Sequence, residues 1–352
     1  MSFIDDNKAY EAWLAKQCDI VGTDLATKHE RMRENAFVFL RGTYFRWATT
    51  IEKVCKDLKD APAVLAVGDV HVENYGTWRD IEGRLVWGIN DFDEAARMPF
   101  AFDLVRLVTS ARLAPGMRIA DNAIAQAVLA GYRRGIAAPR PTLLDEHETW
   151  MREYVGTTDD ERRRFWKKMQ KLKGTRSVDG RARRLLQQSY PERADTLRLA
   201  KRVAGVGSLG RPRVVALATW RGGHIVREAK ALVPSAWDWA HGRDGRSRFQ
   251  DAISSRHRSP DPFLRTDGRY IVRRLAADSI KIEFEQLPKR ALQRGMFEAM
   301  GFDLGSFHGS NDADAKAIIR DLGRRPGRWL QKAADRAIKS VRADFREWKR
   351  GK

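Results

Sequence analysis

Two short acidic segments, GDVHVEN at residues 68–74 and NDFDEA at residues 90–95, carry residue types and a spacing suited to phosphate chemistry. Asp69 and Asn74 stand five positions apart, and Asp91 and Asp93 follow beyond a stretch, Trp78–Ile89, that reads as a hairpin. Its polar turn is at Asp80–Arg84, and GRLVWGI is the return strand. A hairpin brings its ends together, so Asn74 and Asp91 are expected to be neighbours. An amide oxygen beside one or two carboxylates is a set of hard donors of the kind magnesium takes, leaving positions open for phosphate. Asp69 is then free to orient or deprotonate a hydroxyl. Single Asp and Asn residues usually form turns or cap helices. The combination at these spacings points to chemistry instead.

A second group lies far along the chain. Gly205, Gly207 and Gly210 spell GxGxxG, with Ser208 inside the loop. The preceding ADTLRLAKRVA has helical character and the following RVVALATW reads as a strand, which reverses the order of a dinucleotide-binding unit. Glycines here would let backbone N–H groups approach a phosphate closely. A plain turn is the alternative. In IVREAKA, alternation puts Arg227 on one strand face and Glu228 with Lys230 on the other. His308, in FDLGSFHGS, has no ligand partner nearby in sequence and reads as a packed or capping histidine.

The elements that must position these groups follow from periodicity. Residues 1–60 read as helical. AVLAVG at 63–68 suits a buried strand or a helix end, and Phe102–Ala137 is helical with a break at Pro115–Gly116. Residues 142–202 continue as basic helices, 203–290 form a β-rich block with strands at 267–276 and a further candidate at KIEFEQL, and 291–352 return to helix. The 352 residues hold 66 Lys and Arg against 46 Asp and Glu, a net charge of +20. Most of it sits in 161–202 and 320–352, both readable as solvated faces of amphipathic helices or as a surface for an acidic partner. No run suits a membrane span, the start lacks the order of a secretory signal, and two cysteines make no disulfide framework. A cytoplasmic protein is the default.

The trio GDVHVEN, NDFDEA and FDLVRL (102–107) resembles the catalytic loop, metal motif and following Asp-Leu pair of the aminoglycoside/choline phosphotransferase branch of the protein-kinase-like superfamily. It resembles more closely a bacterial family annotated only as a domain of unknown function. FLRGTYFRW, GVGSLG, REAKALVPSAW and YIVRRLA extend that closer likeness over most of the chain. The resemblance implies Asp69 as the catalytic base, grouped with His71 of the same loop. It implies Asn74 and Asp91 as magnesium ligands, Asp93 as a second acidic ligand, and Asp103 as a residue that ties down the loop. It implies Gly205, Gly207, Ser208 and Gly210 over the phosphates of ATP. Arg227 is the favoured phosphate-holding cation, because the family commonly has Lys-Glu-Ala there, and Lys230 is the fallback. Val67 stands where the phosphotransferases usually have His, and the hairpin is longer than theirs.

The implied fold is α+β with two lobes, a small antiparallel β lobe and a large helical one. The acidic loop precedes the glycine loop, so the kinase order would be circularly permuted. The implied boundaries are 1–60, 61–202, 203–290 and 291–352, with the first, second and last helical. The implied activity is ATP- and magnesium-dependent transfer of a phosphoryl group, or of a nucleotidyl group, to an unidentified small-molecule or protein acceptor. Non-catalytic binding of nucleotide or nucleic acid by the basic helices, and metal-dependent hydrolysis, are the rival readings.

Overall fold

The computed structural model describes residues 2–192, 194–243 and 245–351 as an α+β protein. At its centre is the helix Phe100–Leu113, buried without interruption from Phe100 to Ala111, with Asp103, Arg106, Thr109 and Ser110 buried among its apolar residues. The C-terminal helix Trp329–Arg350 packs on it through a stripe of Trp329, Leu330, Ala334, Ile338 and Val341, while its basic residues face outward. The N-terminal helices Phe3–Gln17, Ala36–Gly42 and Tyr44–Val54 close the same core, with Phe3 edge-on to Trp348 at 5.6 Å. No described helix is long and apolar enough to cross a membrane.

Helices Asp121–Ala137 and Arg290–His308 meet backbone to backbone. Each contributes two glycines four residues apart, in GYRRG (131–135) and GFDLG (301–305). A Cβ at Gly131 would fall 1.8 Å from Glu298 O, and one at Gly301 would fall 2.1 Å from Val128 O. The obstacle is main chain, so no rotamer change can relieve it.

Three antiparallel sheets complete the fold. Ala63–Ala66 pairs with Ala96–Pro99. The hairpin Tyr75–Arg79 and Leu85–Ile89 is extended by Thr142–Leu143. The third has five strands in the order Asp195–Lys201, Arg213–Trp220, Gly223–Ala231, Tyr270–Leu275 and Arg265–Thr266.

Three sequence expectations change here. Residues 195–201, read as helical from their Lys, Arg, Leu and Ala content, form an edge strand because pairing with Val214–Thr219 outweighs local propensity. The basic helices Asp159–Gln170 and Gly180–Gln188 belong with this sheet and not with the helical part, so the β portion begins well before residue 203. Met169 packs on one face with Val215 and Val226, while Ala182 and Leu186 pack on the other with Val214, Ala216 and Ala229. KIEFEQL is not a strand; it holds a 3-10 turn at Phe284–Gln286 and belongs to the connection into helix Arg290–His308.

Gly301→Ala is expected to destabilise the protein by about 2 kcal/mol or more, at the upper end of overpacking costs. A surface control at Gly323, where a Cβ meets open space, should change little. Thermal unfolding of the two variants checks this.

Candidate functional site

Gly68 opens the first acidic loop with φ +81°, and a Cβ there would lie 2.2 Å from Glu94 O, so only glycine fits this close approach to the second motif. Asp103, fully buried on the central helix, anchors the loop's entry by accepting from Val67 N at 2.7 Å and Gly68 N at 3.0 Å. His308 Nε2 lies 3.1 Å from Asp103 Oδ2, and His308 Nδ1 lies 2.8 Å from the Tyr132 hydroxyl. A proton on Nε2, with the tyrosine donating to Nδ1, satisfies all three groups. His308 is therefore packed, as its sequence suggests, and it also links the glycine-packed helices to the loop. Within the loop, the His71 backbone N–H donates to Asn74 Oδ1 at 2.9 Å, and His71 Nδ1 accepts from Glu73 N at 3.2 Å. Burial first, then the nearby Arg41 and Lys281 charges, hold the His71 pKa well below its usual value. Its ring is neutral, with the proton on Nε2.

Asp69 Oδ1 accepts from Arg106 Nε at 2.9 Å and also from Arg106 Nη2. The other oxygen faces the glycine loop: a Cβ on Gly207 would stand 3.4 Å from Asp69 Oδ2 and 3.1 Å from Arg41 O. Burial raises the Asp69 pKa to about 7 against the lowering by Arg106. Arg106 was not singled out in the sequence. It is fully buried, with its guanidinium over Tyr44 and Trp47. The available signal was a lone cation inside an apolar helical run, which buries a charge only if that charge is paired.

The second motif lies where the hairpin predicts. Tyr75 pairs with Ile89, and Asn90 N donates to Asn74 O at 2.9 Å. Lys230 Nζ is 2.5 Å from Asp93 Oδ2 and 3.7 Å from Asp91 Oδ1. Burial and the neighbouring Asp91 push the Asp93 pKa up to about 6, whereas at Asp91 burial is outweighed by Lys230, by the hydrogen bonds with Asp93 and by Arg273 together, which hold it below the usual carboxylate range. Asp93 Oδ1 is buried without a hydrogen-bond partner. Among the described residues no three His, Cys, Asp or Glu side chains form a ready cage for a metal. Magnesium commonly takes one or two carboxylates and completes its shell with water and phosphate. Asp91, Asp93 with its orphaned oxygen, and the Asn74 amide fit that mode.

Gly205 (φ +73°) and Gly210 (φ +94°) shape the glycine loop between strands Asp195–Lys201 and Arg213–Trp220. Ser208 Oγ accepts from Arg213 Nη2 at 2.7 Å. Arg211, directly after the loop, donates to Glu94 Oε1 at 2.7 Å and so ties it to the second motif. The buried Glu228 is held by Arg202, Arg213 and Arg273, whose charges outweigh burial and keep it ionised. Arg227, the cation preferred from the sequence, does not face this cleft. It lies on the sheet face covered by Gly180–Gln188, over Tyr190 (5.5 Å) and Phe263 (4.4 Å). Lys230 is the cation of that strand that reaches the acids.

Together these groups line one cleft of about 460 Å³, walled by Asp69, His71, Asn74, Asp91 and Asp93 and by Gly205–Ser208 and Lys230. Ten lysines and arginines line it against six carboxylates, so the space favours anions.

The raised Asp69 pKa has a consequence for stability. The folded state binds this proton more tightly than the unfolded state, so its contribution is present below pH 3.8 and is lost as pH rises towards 7. Asp69→Asn, which lacks the ionisation, is therefore expected to gain on the parent by roughly 2.6 kcal/mol between pH 5 and pH 8. Denaturant unfolding of both proteins at the two pH values measures it; a difference that does not vary with pH would contradict the assignment.

Residues 21–195 match the model of a family described as "Uncharacterized protein conserved in bacteria (DUF2252)", a span that includes both acidic motifs and Arg106 and ends before the glycine loop. No curated protein and no solved structure matches the chain.

Proposed function

We propose that the protein is a kinase-like phosphotransferase that binds ATP with magnesium in this cleft and passes the γ-phosphoryl group to an acceptor hydroxyl. The observation that carries the reading is that one cleft is lined both by the glycine loop and by Asp69, Asn74, Asp91 and Asp93, with the Lys230 ammonium bonded to Asp93 among them. Phosphoryl transfer is mostly a matter of positioning and charge neutralisation, and it requires phosphates held from two sides. The two halves of this site come from segments more than a hundred residues apart in sequence. In this reading the glycine-loop sheet follows the acidic loop instead of preceding it, so the chain is a circularly permuted member of the kinase-like superfamily.

The roles follow from the surroundings of each group. Asn74, Asp91 and Asp93 would hold magnesium, which supplies neutralisation of phosphate charge. Backbone N–H groups of 205–208 hold the phosphate oxygens from the glycine loop, and the Lys230 ammonium holds them from beside Asp93. Asp69 Oδ2, free of Arg106, accepts the proton of the acceptor hydroxyl as that oxygen bonds to the γ-phosphorus. The bond from the γ-phosphorus to the bridging oxygen breaks, and ADP leaves. Arg106 fixes the Asp69 carboxylate by its other oxygen. His71, neutral and hydrogen-bonded within its loop, acts on loop shape and not as a base.

ATP with magnesium is expected to stabilise the protein by about 2.7 kcal/mol at a hundredfold excess over Kd. Asp91→Ala should remove the magnesium-dependent part of that shift, and Asp69→Ala should keep it while abolishing transfer of labelled phosphate. Absence of any shift with millimolar ATP and magnesium, or loss of nucleotide binding in a folded Asp69→Ala, would overturn the reading.

A further inference from the structure

Lys28 is a buried cation that this mechanism leaves unused. It lies on helix Gly22–Arg31, only 4% exposed, and it lines the cleft. Of the other buried cations of the cleft wall, Arg211 has Glu94, Arg213 has Glu228 and Lys230 has Asp93, while Arg258 donates to the Ile89 carbonyl. Among the described residues the Lys28 ammonium has neither a hydrogen bond nor an ion pair. Its helix is fixed to the glycine loop, since Val21 N donates to Gly210 O at 2.9 Å and Leu25 lies against Gly210. Met32, one turn beyond Lys28, lies against Gly42, and the neighbouring Arg41 carbonyl and Asp69 Oδ2 both lie beside Gly207, which sets this end of the cleft next to Asp69.

A buried ammonium without a partner is costly unless something anionic meets it. On the Asp69 side of the cleft, that partner would be the molecule whose hydroxyl Asp69 addresses. We propose that the acceptor is a small hydroxylated anion, with Lys28 binding its phosphate or carboxylate group while Asp69 takes its hydroxyl. This rests on the phosphotransferase reading and narrows it. The surplus of cations around the cleft fits an anionic acceptor and opposes a cationic amino sugar.

The test uses the full chain and one hydroxylated frame in three forms: glycerol 3-phosphate, glycerate and glycerol. Each is titrated by calorimetry into protein saturated with β,γ-methylene-ATP and magnesium, so that the nucleotide's own phosphate position is filled, and into nucleotide-free protein. At least one of the two anions is expected to bind, with glycerol undetectable; which one binds distinguishes phosphate from carboxylate. Lys28→Met should weaken that binding at least tenfold, change the affinity for the analogue less than twofold, and raise the melting temperature because a buried unpaired charge is gone. The proposal is overturned if neither anion binds better than glycerol, if Lys28→Met leaves anion affinity intact, or if it weakens the nucleotide analogue instead. If the analogue fails to bind the parent while the anions still bind through Lys28, the nucleotide reading fails and the anion site stands.

Discussion

The site depends on one buried carboxylate. Asp103 accepts two backbone N–H groups at the entry of the Asp69 loop and the imidazole of His308, so the loop is held from below by the central helix. Those N–H groups have no sheet partner at the point where the strand Ala63–Ala66 ends, and buried donors left unsatisfied cost about 1–3 kcal/mol each. The His308 side of the network reaches back through Tyr132 to the glycine-packed helix pair. Close helix packing, the histidine, the carboxylate and the loop thus form one continuous rigid path. Its end point is Asp69.

On this base the cleft is built from paired charges. Arg106 takes one oxygen of Asp69, Lys230 takes one of Asp93, and Arg211 joins Glu94 to the end of the glycine loop. The first two pairings leave the second carboxylate oxygen without a cation: Asp69 Oδ2 lies beside Gly207, and Asp93 Oδ1 is buried without a hydrogen bond. Such half-satisfied carboxylates suit a ligand that brings cations or protons with it. Glu228 performs the converse task. It gathers three arginines that would otherwise repel one another, and all three line the cleft.

Much of this was legible in the sequence because short-range geometry fixes it. The hairpin between Asn74 and Asp91 is a local structure, and its ends had to meet. Alternation along IVREAKA separated Arg227 from Lys230 correctly. Which face would look into the cleft was not a local property, since it depends on helix Gly180–Gln188 covering the Arg227 side. The edge strand 195–201 was misread for the same reason: its residues favour helix until a neighbouring strand supplies ladder bonds. Arg106 and Lys28 belong to no spaced motif. Arg106 announces itself only as a charge in an apolar helix, and Lys28 sits in a polar helix whose buried side is set by distant segments, the glycine loop among them.

The central claim is that the two walls of this cleft grip the phosphates of one nucleotide, and a pair of substitutions on a single strand tests it directly. ATP with magnesium is titrated by calorimetry into the parent, Lys230→Met and Arg227→Met. The account predicts that Lys230→Met weakens binding at least tenfold, while Arg227→Met, altered on the opposite sheet face, binds within about twofold of the parent, a difference of about 1 kcal/mol or more between the two variants. Equal losses in both, or loss only in Arg227→Met, would contradict it.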